Sequence, residues 1–344
     1  MSRRSLTLAI AGLAAVAAIA FAVLFPVPYV ILQPGPTLNT LGKDHGGKPL
    51  IAITGHPTYA TKGNLNLVTI SYQGGPGSNL NIFQALRAWI APSEAVVPQN
   101  ELFPPGQTAE QTQAQDTQQM ASSQELATAA ALTELHIKFQ TQVRVLSTVA
   151  GYPASKALKA GDIIEAVDGK PVTGASSLSS MIGARPVGST LQLEVLRAGK
   201  TLTVPVTSKV SGGTPVIGVQ VQEQYKFPFN VRISVGDIGG PSAGMMFALG
   251  IVDMLTPMNL TGGKFIAGTG EITATGQVQP IGGIQQKMVG ARNAGATVFL
   301  TPAGNCSDTK GAVPAGLRVV KVSTLSQAVS DLEAIKANKP VPSC

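Results

Sequence analysis

The most prominent feature of the hydrophobic pattern is a long apolar run near the N-terminus. Residues 6–30 contain 25 positions without a charge, and Arg3 and Arg4 precede them. About 20 apolar residues span the hydrocarbon core of a bilayer as a helix, whereas a secretory apolar region has about 7 to 15. The run therefore predicts a transmembrane anchor with both arginines on the cytoplasmic side. Ala20 and Ala22 form an A-x-A pattern, which leaves cleavage as a signal peptide open.

Behind this run, the alternation of apolar and polar positions predicts a chain of mixed strands and helices. Residues 33–42, QPGPTLNTLG, are rich in turn formers and predict a linker. Residues 49–72 contain two apolar runs, IAIT and LNLVTISY, typical of strands. Helical periodicity then predicts a short helix at 79–89 and a longer one, rich in Gln and Ala, at 107–135.

Residues 136–210 show a different pattern of short strand-like segments. The turn at 197–200 is flanked by alternating apolar positions in LQLEVL and LTVPV, the period of two expected of paired strands. A helical SLSSMIG precedes this hairpin. The stretch predicts a separate, mostly-β module.

The segment 239–255, GGPSAGMMFALGIVDML, is apolar on every side except at Asp253 and predicts a buried helix. Ser242 lies at its start. Serine is a favoured helix cap, so capping is one interpretation. The other is catalysis, because free N–H groups and the positive end of the helix dipole would stabilise an oxyanion there.

A second helix is predicted at 282–295, where Ile284, Met288 and Ala291 share one face. Lys287 falls on that same face. A lysine in a core-facing stripe must extend its amine to solvent, pair with an acid, or lose its proton because desolvation lowers its pKa. Only the last outcome yields a general base.

The chain has three histidines, His45, His56 and His136, and all lie upstream of Ser242. The G-x-S-x-G pattern of α/β-hydrolases requires a downstream histidine, and Met245 occupies the lysine position of an S-x-x-K pattern. A histidine triad in an unusual order stays open. A Ser/Lys pair, a known variant of the triad, is the simpler interpretation.

At this point two motifs resemble the proteolytic domain of Lon proteases. They are GGPSAG at 239–244 and TGEITATGQVQPIGGIQQKMVGARNAGA at 269–296. The resemblance implies that Ser242 is the nucleophile, that Lys287 is the general base and that Thr269 is a hydroxyl partner orienting the lysine. It also implies a hexameric ring.

One position departs from that resemblance. Lon enzymes commonly carry an aspartate three residues before the serine, where this chain has Gly239, and Asp237 lies two residues further back. The acidic group near the site is therefore left open.

The module at 136–211 resembles a bacterial PDZ domain, which implies peptide capture by strand addition. A Gly-hydrophobic-Gly-hydrophobic carboxylate loop is missing upstream of Val143, so specificity for C-termini stays open. The strands within 49–72 resemble the N-terminal portion of the Lon domain. The PDZ module is therefore interpreted as an insertion into a split protease domain.

The fold prediction is an α/β (α+β) Lon-type proteolytic domain with an inserted mostly-β PDZ domain and an N-terminal transmembrane helix. The predicted segments are a cytoplasmic tip and transmembrane helix at 1–32, a linker at 33–46, the N-terminal portion of the protease domain at 47–135, the PDZ domain at 136–211 and the Lon-type catalytic portion at 212–344.

Composition adds few constraints. The net charge of +7 is spread along the chain, which gives little support to nucleic-acid binding. No cysteine or histidine cluster suggests a metal, and no cofactor is expected. The only cysteines, Cys306 and Cys344, would be able to form a disulfide in an oxidising compartment. Residues 262–264, GGK, lack the other positions of a Walker A motif, so ATP independence is expected.

These observations predict a membrane-anchored, extracytoplasmic serine endopeptidase that cleaves unfolded or flexible envelope or secreted proteins. Its expected partners are polypeptide substrates and the membrane. The alternative is a non-catalytic PDZ-based scaffold with a degenerate Lon-like domain. The presence of both Ser242 and Lys287 favours the enzyme, because a scaffold has no need of a lysine on an apolar helix face.

Overall fold

The computed structural model of the protein describes residues 3–44 and 46–344. The chain forms two units. Unit 1 comprises the described residues up to Ile137 together with Phe229–Cys344, and unit 2 is Lys138–Pro228. Unit 2 is therefore inserted, along the sequence, between the two segments of unit 1.

The N-terminal apolar run forms a helix only as far as Leu24. The helix is Arg3–Leu24, and its segment Arg4–Val23 is exposed and is long and apolar enough to cross a membrane, a test that a signal sequence also passes. Pro26 and Pro28 follow, and proline does not continue a helix. The apolar residues beyond them enter a strand instead, so the predicted transmembrane segment, residues 1–32, is too long.

The predicted linker at 33–46 is also wrong, because Tyr29–Asn39 is a strand of the central sheet of unit 1. Its prolines are tolerated for a local reason. The register of pairing shifts between Pro34 and Thr37, and Ala95–Pro98 pairs only with the first half of the strand. A proline therefore removes no ladder hydrogen bond on the outer side.

Within the described residues, the main sheet of unit 1 has six strands. In spatial order they are Arg318–Val322, Val298–Pro302, Phe265–Gly268, Asn64–Gln73, Tyr29–Asn39 and Ala95–Pro98. The first four run parallel, and the last two are antiparallel to their neighbours. The strand Val298–Pro302 is buried throughout, as expected of a parallel strand covered on both faces.

Helices cover this sheet, and those predicted from periodicity are confirmed with small changes of bounds. Gly244–Leu255 is named the serine helix, Ile284–Asn293 the lysine helix and Ala109–Glu134 the glutamine-rich helix. The serine helix is buried at nearly every position, so it forms the centre of unit 1. The remaining helical segments of unit 1 after the N-terminal helix are Ile82–Ile90, Gln99–Leu102, Ala303–Asn305, Cys306–Thr309 and Leu325–Lys336.

Three small antiparallel ladders complete unit 1: Pro26–Val27 with Leu80–Asn81, Ile51–Thr54 with Asn230–Ile233, and Glu271–Ile272 with Val278–Gln279. The segment Phe265–Gly268, which precedes the last ladder, joins the main sheet in parallel. A disulfide joins Cys306 to Cys344.

Unit 2 is built on a sheet whose main strands, in spatial order, are Lys200–Thr207, Thr190–Arg197, Ile163–Val167, Gln140–Thr148 and Val219–Lys226. The predicted hairpin is confirmed, with Arg197 opposite Lys200. The remaining elements of unit 2 are the short strands Lys170–Pro171, Lys209–Ser211 and Thr214–Val216 and the helices Ala154–Ala157 and Ala175–Gly183.

The end of unit 2 lies further along the chain than predicted. The strand Val219–Lys226 pairs along its whole length with Gln140–Thr148 and so belongs to unit 2. The predicted start of the catalytic portion at 212 is therefore wrong. The alternating pattern of this strand reveals a half-buried position but not the sheet that supplies its partner.

Candidate active site

Ser242 lies in a tight turn before the serine helix. Gly240 adopts a φ of +83°, which favours glycine, and Pro241 follows. The helix begins at Gly244 with Ala243 as its N-cap residue, and no side chain caps it. The capping interpretation of Ser242 is therefore wrong, and its hydroxyl is left for another contact.

That contact is the amine of Lys287. Lys287 Nζ lies 2.8 Å from Ser242 Oγ and 3.0 Å from Thr269 Oγ1. Thr269 Oγ1 in turn donates to the carbonyl oxygen of Ser242 at 2.9 Å. Because the threonine hydroxyl donates there, it accepts from the lysine, and the amine lone pair of a neutral lysine is directed to the serine hydroxyl. All three predicted site residues therefore meet.

The lysine helix buries this side chain almost completely. Lys287 is 2% exposed, and Ile284, Met288 and Ala291 on the same face are buried as expected. Burial lowers the pKa of Lys287 from 10.5 to about 7, while the charge of Glu271 opposes this shift. A substantial fraction of the lysine is therefore neutral at pH 7.

The segment after the strand Phe265–Gly268 holds the serine turn in place. Gly270 N–H donates to Ser242 O at 2.8 Å, and Gly270 O accepts from Met245 N–H at 3.0 Å. From the other side, Ser123 Oγ of the glutamine-rich helix donates to Pro241 O at 3.0 Å. The turn is thus fixed from two elements distant in sequence.

These bonds narrow the choice of oxyanion donors. The sequence indicated free N–H groups at the start of the helix, but Met245 N–H is engaged and Gly244 N–H lies 3.5 Å from Pro241 O. Within the described residues of the chain, the amides of Ser242 and Ala243 donate to no carbonyl. These two N–H groups, which lie next to the serine hydroxyl, are therefore the remaining candidates for oxyanion donors.

Two acidic residues that sequence reasoning did not select lie at the site. Glu271 and Asp116 are both half-buried, and burial raises the pKa of each carboxyl. Glu271 follows Thr269 by two positions and has a charge interaction with Lys287. Asp116 lies on the glutamine-rich helix, where nothing in the surrounding polar sequence distinguishes it from a solvated residue.

Asp116 also accounts for the departure at Gly239. A Cβ atom added at Gly239 would lie 2.5 Å from Asp116 Cβ, so the glutamine-rich helix occupies the space that a side chain at 239 would need. Gly240 N–H donates to Asp116 O at 3.1 Å. Asp116 and Asp237 both line the cleft, so carboxyl groups lie near the serine turn although position 239 carries none.

The site opens into a cleft of about 440 Å³. One wall is the serine turn, another is the strand Asn64–Gln73, and the glutamine-rich helix forms a third. Ser242 and Lys287 line it together with Glu271 and Asp116.

The histidine alternative finds no support in the described residues. His56 packs on Phe229 with ring centroids 4.7 Å apart, and its Nδ1 contacts Pro57 O. Neither His56 nor His136 lines the cleft. His45 lies outside the described residues.

Substitution of Thr269 tests its positioning role. We expect Thr269→Val to lower kcat roughly tenfold to a hundredfold, since one hydrogen bond to the lysine amine is lost. The lost bond favours the charged amine more than the neutral one, so the midpoint of the pH–rate profile should move to lower pH. Thr269→Ser should restore both kcat and the midpoint of the pH–rate profile to their wild-type values. A purely structural role would lower thermal stability without moving the midpoint.

Unit 2 contains a second cleft, of about 380 Å³, between the helix Ala175–Gly183 and the strand Val219–Lys226. Its apolar lining includes Leu178 and Ile182. In the described chain no strand pairs with the outer edge of Val219–Lys226. Residues 217–219, Ile-Gly-Val, lead into this strand, and Gly218 has a φ of +76°. Residues 216–219, Val-Ile-Gly-Val, match the sought Gly-hydrophobic-Gly-hydrophobic loop except at its first glycine, and they lie at the opposite end of the unit from Val143.

Comparison with known protein families finds two matches, whose bounds differ from those of the two units. Residues 220–335 match the Lon protease (S16) C-terminal proteolytic domain, and residues 113–207 match the PDZ domain. The chain carries a Lon-type serine peptidase domain and a PDZ domain. Ser242, Thr269 and Lys287 all lie within the Lon-type match. The PDZ match begins inside the glutamine-rich helix of unit 1 and ends before Val219–Lys226.

The chain is also similar to proteins named Lon proteases. Lon protease 1 of Bacillus subtilis is 32% identical over 125 residues, covering 35% of this chain and 16% of the relative. Lon protease of Heliobacterium modesticaldum is 38% identical over 109 residues, covering 30% and 13%. The chain thus spans less than a fifth of these relatives. The PDZ domain of an SdrC-like protein from Listeria monocytogenes is 27% identical, covering 23% of this chain and 85% of that chain, with a TM-score of 0.22.

Proposed function

We propose that this protein is a membrane-anchored, extracytoplasmic, ATP-independent serine endopeptidase with a Ser242/Lys287 dyad. The observation that carries the proposal is the 2.8 Å contact between Lys287 Nζ and Ser242 Oγ at an almost fully buried lysine. A buried amine with a pKa near 7 is a base suited to neutral pH. A scaffold would gain nothing from holding this amine against a serine.

The arrangement supports acyl transfer in two steps. Neutral Lys287 takes the proton of Ser242 as Oγ attacks the scissile carbonyl, and the amides of Ser242 and Ala243 donate to the oxyanion. The resulting ammonium returns the proton to the leaving amine, and the peptide bond breaks. Water then attacks the acyl-enzyme, with Lys287 taking its proton and returning it to Ser242 Oγ. Thr269 holds the amine in line throughout.

The pH–rate profile tests the base. Because only neutral Lys287 accepts a proton, kcat/KM should fall about tenfold per pH unit below about 7 and level off above it. Hydrolysis of an unfolded, fluorophore-labelled protein between pH 5.5 and 9 gives the profile. Circular dichroism at each pH serves as the control for unfolding. A flat profile from pH 6 to pH 8 contradicts the assignment of Lys287 as the base.

The PDZ unit supports capture of polypeptide segments. A substrate strand would add to the outer edge of Val219–Lys226, and a C-terminal carboxylate would bind amides around Gly218. Substrates would be unfolded or flexible envelope or secreted proteins. ATP independence is supported by Lys264, which in the GGK sequence donates to Ile335 O and Asn338 Oδ1 rather than facing a phosphate loop.

One experiment tests the activity as a whole. The full chain, incubated without nucleotide with a denatured protein extract, should release peptides detectable by mass spectrometry, and Ser242→Ala should release none. Ser307→Ala, at an exposed serine of unit 1, is the matched control and should behave as wild type. Equal peptide release by wild type and Ser242→Ala would favour the scaffold alternative. A topology reporter fused after Cys344 should lie outside the cytoplasm.

A further inference from the structure

One helix of unit 1 carries large apolar side chains on its exposed surface. The helix Ile82–Ile90 buries only Ala85 and Ala88. Its exposed apolar residues fall within a sector of about 120° at 100° per residue. They are Ile82, Phe83, Leu86, Trp89 and Ile90, with exposed fractions of 40%, 47%, 49%, 76% and 83%. We call this set the outer face. A soluble surface rarely presents such a patch without a binding role.

The outer face lies where the N-terminal apolar helix ends. That helix is Arg3–Leu24, and the ladder Pro26–Val27 with Leu80–Asn81 begins two residues later. Asn81 is the N-cap of the helix Ile82–Ile90 and forms a capping box with Gln84. The start of the outer face is therefore tied by backbone pairing to the end of the candidate membrane span.

Exposed aromatic residues continue the patch between the two helices. Phe25 is 57% exposed and stacks on Phe21 of the N-terminal helix, and Tyr29 is 41% exposed. Aromatic side chains are enriched at membrane–water interfaces. Exposed apolar side chains are therefore present on the span, on the segment that follows it and on the helix Ile82–Ile90.

We propose that the outer face of Ile82–Ile90 inserts into the interfacial region of the lipid bilayer beside the N-terminal span. This inference rests on the proposed membrane anchor. The pairing of Leu80–Asn81 with Pro26–Val27 ties the outer face to the end of the span, which favours lipid over a second copy of the chain. The one cation on the helix, Arg87, pairs with Glu94 at 3.1 Å, so insertion should depend on apolar burial rather than on anionic lipids.

Such insertion gives unit 1 two attachments to the membrane instead of one. The helix is already capped in the structure, so binding requires no folding step. An anchor alone leaves unit 1 free to rotate about the end of the span. The second attachment would fix the face that unit 1 turns to the lipid.

Trp89 makes the inference directly measurable because it is the only tryptophan of the chain. The full chain is reconstituted into phosphatidylcholine vesicles, with and without bromine at shallow acyl positions. We expect the emission of Trp89 to be at least twofold lower in brominated than in unbrominated vesicles. Acrylamide should quench Trp89 less in unbrominated vesicles than in detergent micelles. Emission unchanged by bromine, with full access for acrylamide, overturns the proposal.

A flotation assay of the same vesicles separates this inference from the anchor. Protein that does not float after an alkaline wash overturns the proposed anchor. If the protein floats but bromine does not quench Trp89, the insertion of the outer face is overturned while the proposed anchor stands. Trp89 shielded from acrylamide but unquenched by bromine indicates a second copy on this face and equally overturns it.

Two variants provide the matched comparison. In Trp89→Phe/Val313→Trp, the tryptophan moves to another exposed apolar position of unit 1 and should lose less than a tenth of its emission to brominated lipid. In Leu86→Glu/Ile90→Glu, Trp89 stays in place and its quenching should fall at least twofold, since charge opposes insertion. Equal quenching of the probes at 89 and 313 overturns the proposal.

Discussion

Full-length protein carrying Lys287→Met or Lys287→Arg is expected to lose protein hydrolysis as completely as Ser242→Ala, by about 10⁴-fold or more. Methionine keeps an apolar stem in the buried stripe but has no amine. Arginine keeps the charge but does not deprotonate near neutral pH, so it takes no proton from Ser242. Initial rates on an unfolded fluorescent protein at pH 8 measure the loss.

Lys310→Met, at an exposed lysine of the same unit, is the matched control and should retain wild-type activity. Folding of each variant is checked by circular dichroism. More than a tenth of wild-type activity in Lys287→Arg would contradict the general-base role. Lys287 would then be a buried lysine held by Thr269 and Ser242 without a role in proton transfer.

The second large effect concerns stability. Burial of the Lys287 amine lowers its pKa from 10.5 to about 7, and each pKa unit corresponds to about 1.4 kcal/mol. Lys287→Met removes this cost, so its free energy of unfolding at pH 7 should exceed that of wild type by up to roughly 5 kcal/mol. The hydrogen bonds lost with the amine reduce this value. Urea unfolding of the full chain in detergent measures the difference.

The difference should depend on pH with a definite sign. The unfolded chain keeps a proton on Lys287 up to about pH 10.5, while the folded chain releases it near pH 7. Between these values the unfolded state binds more protons, so wild-type stability rises with pH relative to Lys287→Met. The difference in free energy of unfolding between Lys287→Met and wild type should be largest at pH 7 and below and should shrink toward pH 10. A Lys287→Met variant less stable than wild type at pH 7 would contradict the cost of desolvation.

The residues of the proposed dyad, Ser242 and Lys287, were predictable because each carries its signal locally. An apolar run after GGPSAG predicts a buried helix with Ser242 at its start, and a lysine within the apolar face of the next helix predicts an amine in a dry environment. Likewise, the alternation on both sides of the 197–200 turn predicts its hairpin. Each of these patterns lies within one helix or one hairpin. The sequence therefore determines it without information about the tertiary structure.

Other features depend on contacts between distant segments, and only the tertiary structure decided them. The strand Tyr29–Asn39 resembles a linker because it contains prolines. They are tolerated because the register shifts between Pro34 and Thr37 and because the outer neighbour, Ala95–Pro98, pairs only with the first half of the strand. The strand Val219–Lys226 belongs to unit 2 because it pairs with Gln140–Thr148, some 80 residues earlier in the chain. A period of two specifies which side chains are buried but not which strand is adjacent.

The acid at the site is the clearest case of this division. The sequence determined that Gly239 stands where an aspartate was expected, and it left open whether Asp237, two residues further back, supplies the acidic group. Asp116 reaches the same space from the glutamine-rich helix, more than a hundred residues earlier, and a Cβ atom at 239 would lie 2.5 Å from its own Cβ. A carboxyl on a polar helix has no sequence pattern of its own. Its position at the cleft follows from which surface of that helix packs against the serine turn, and packing alone decides that.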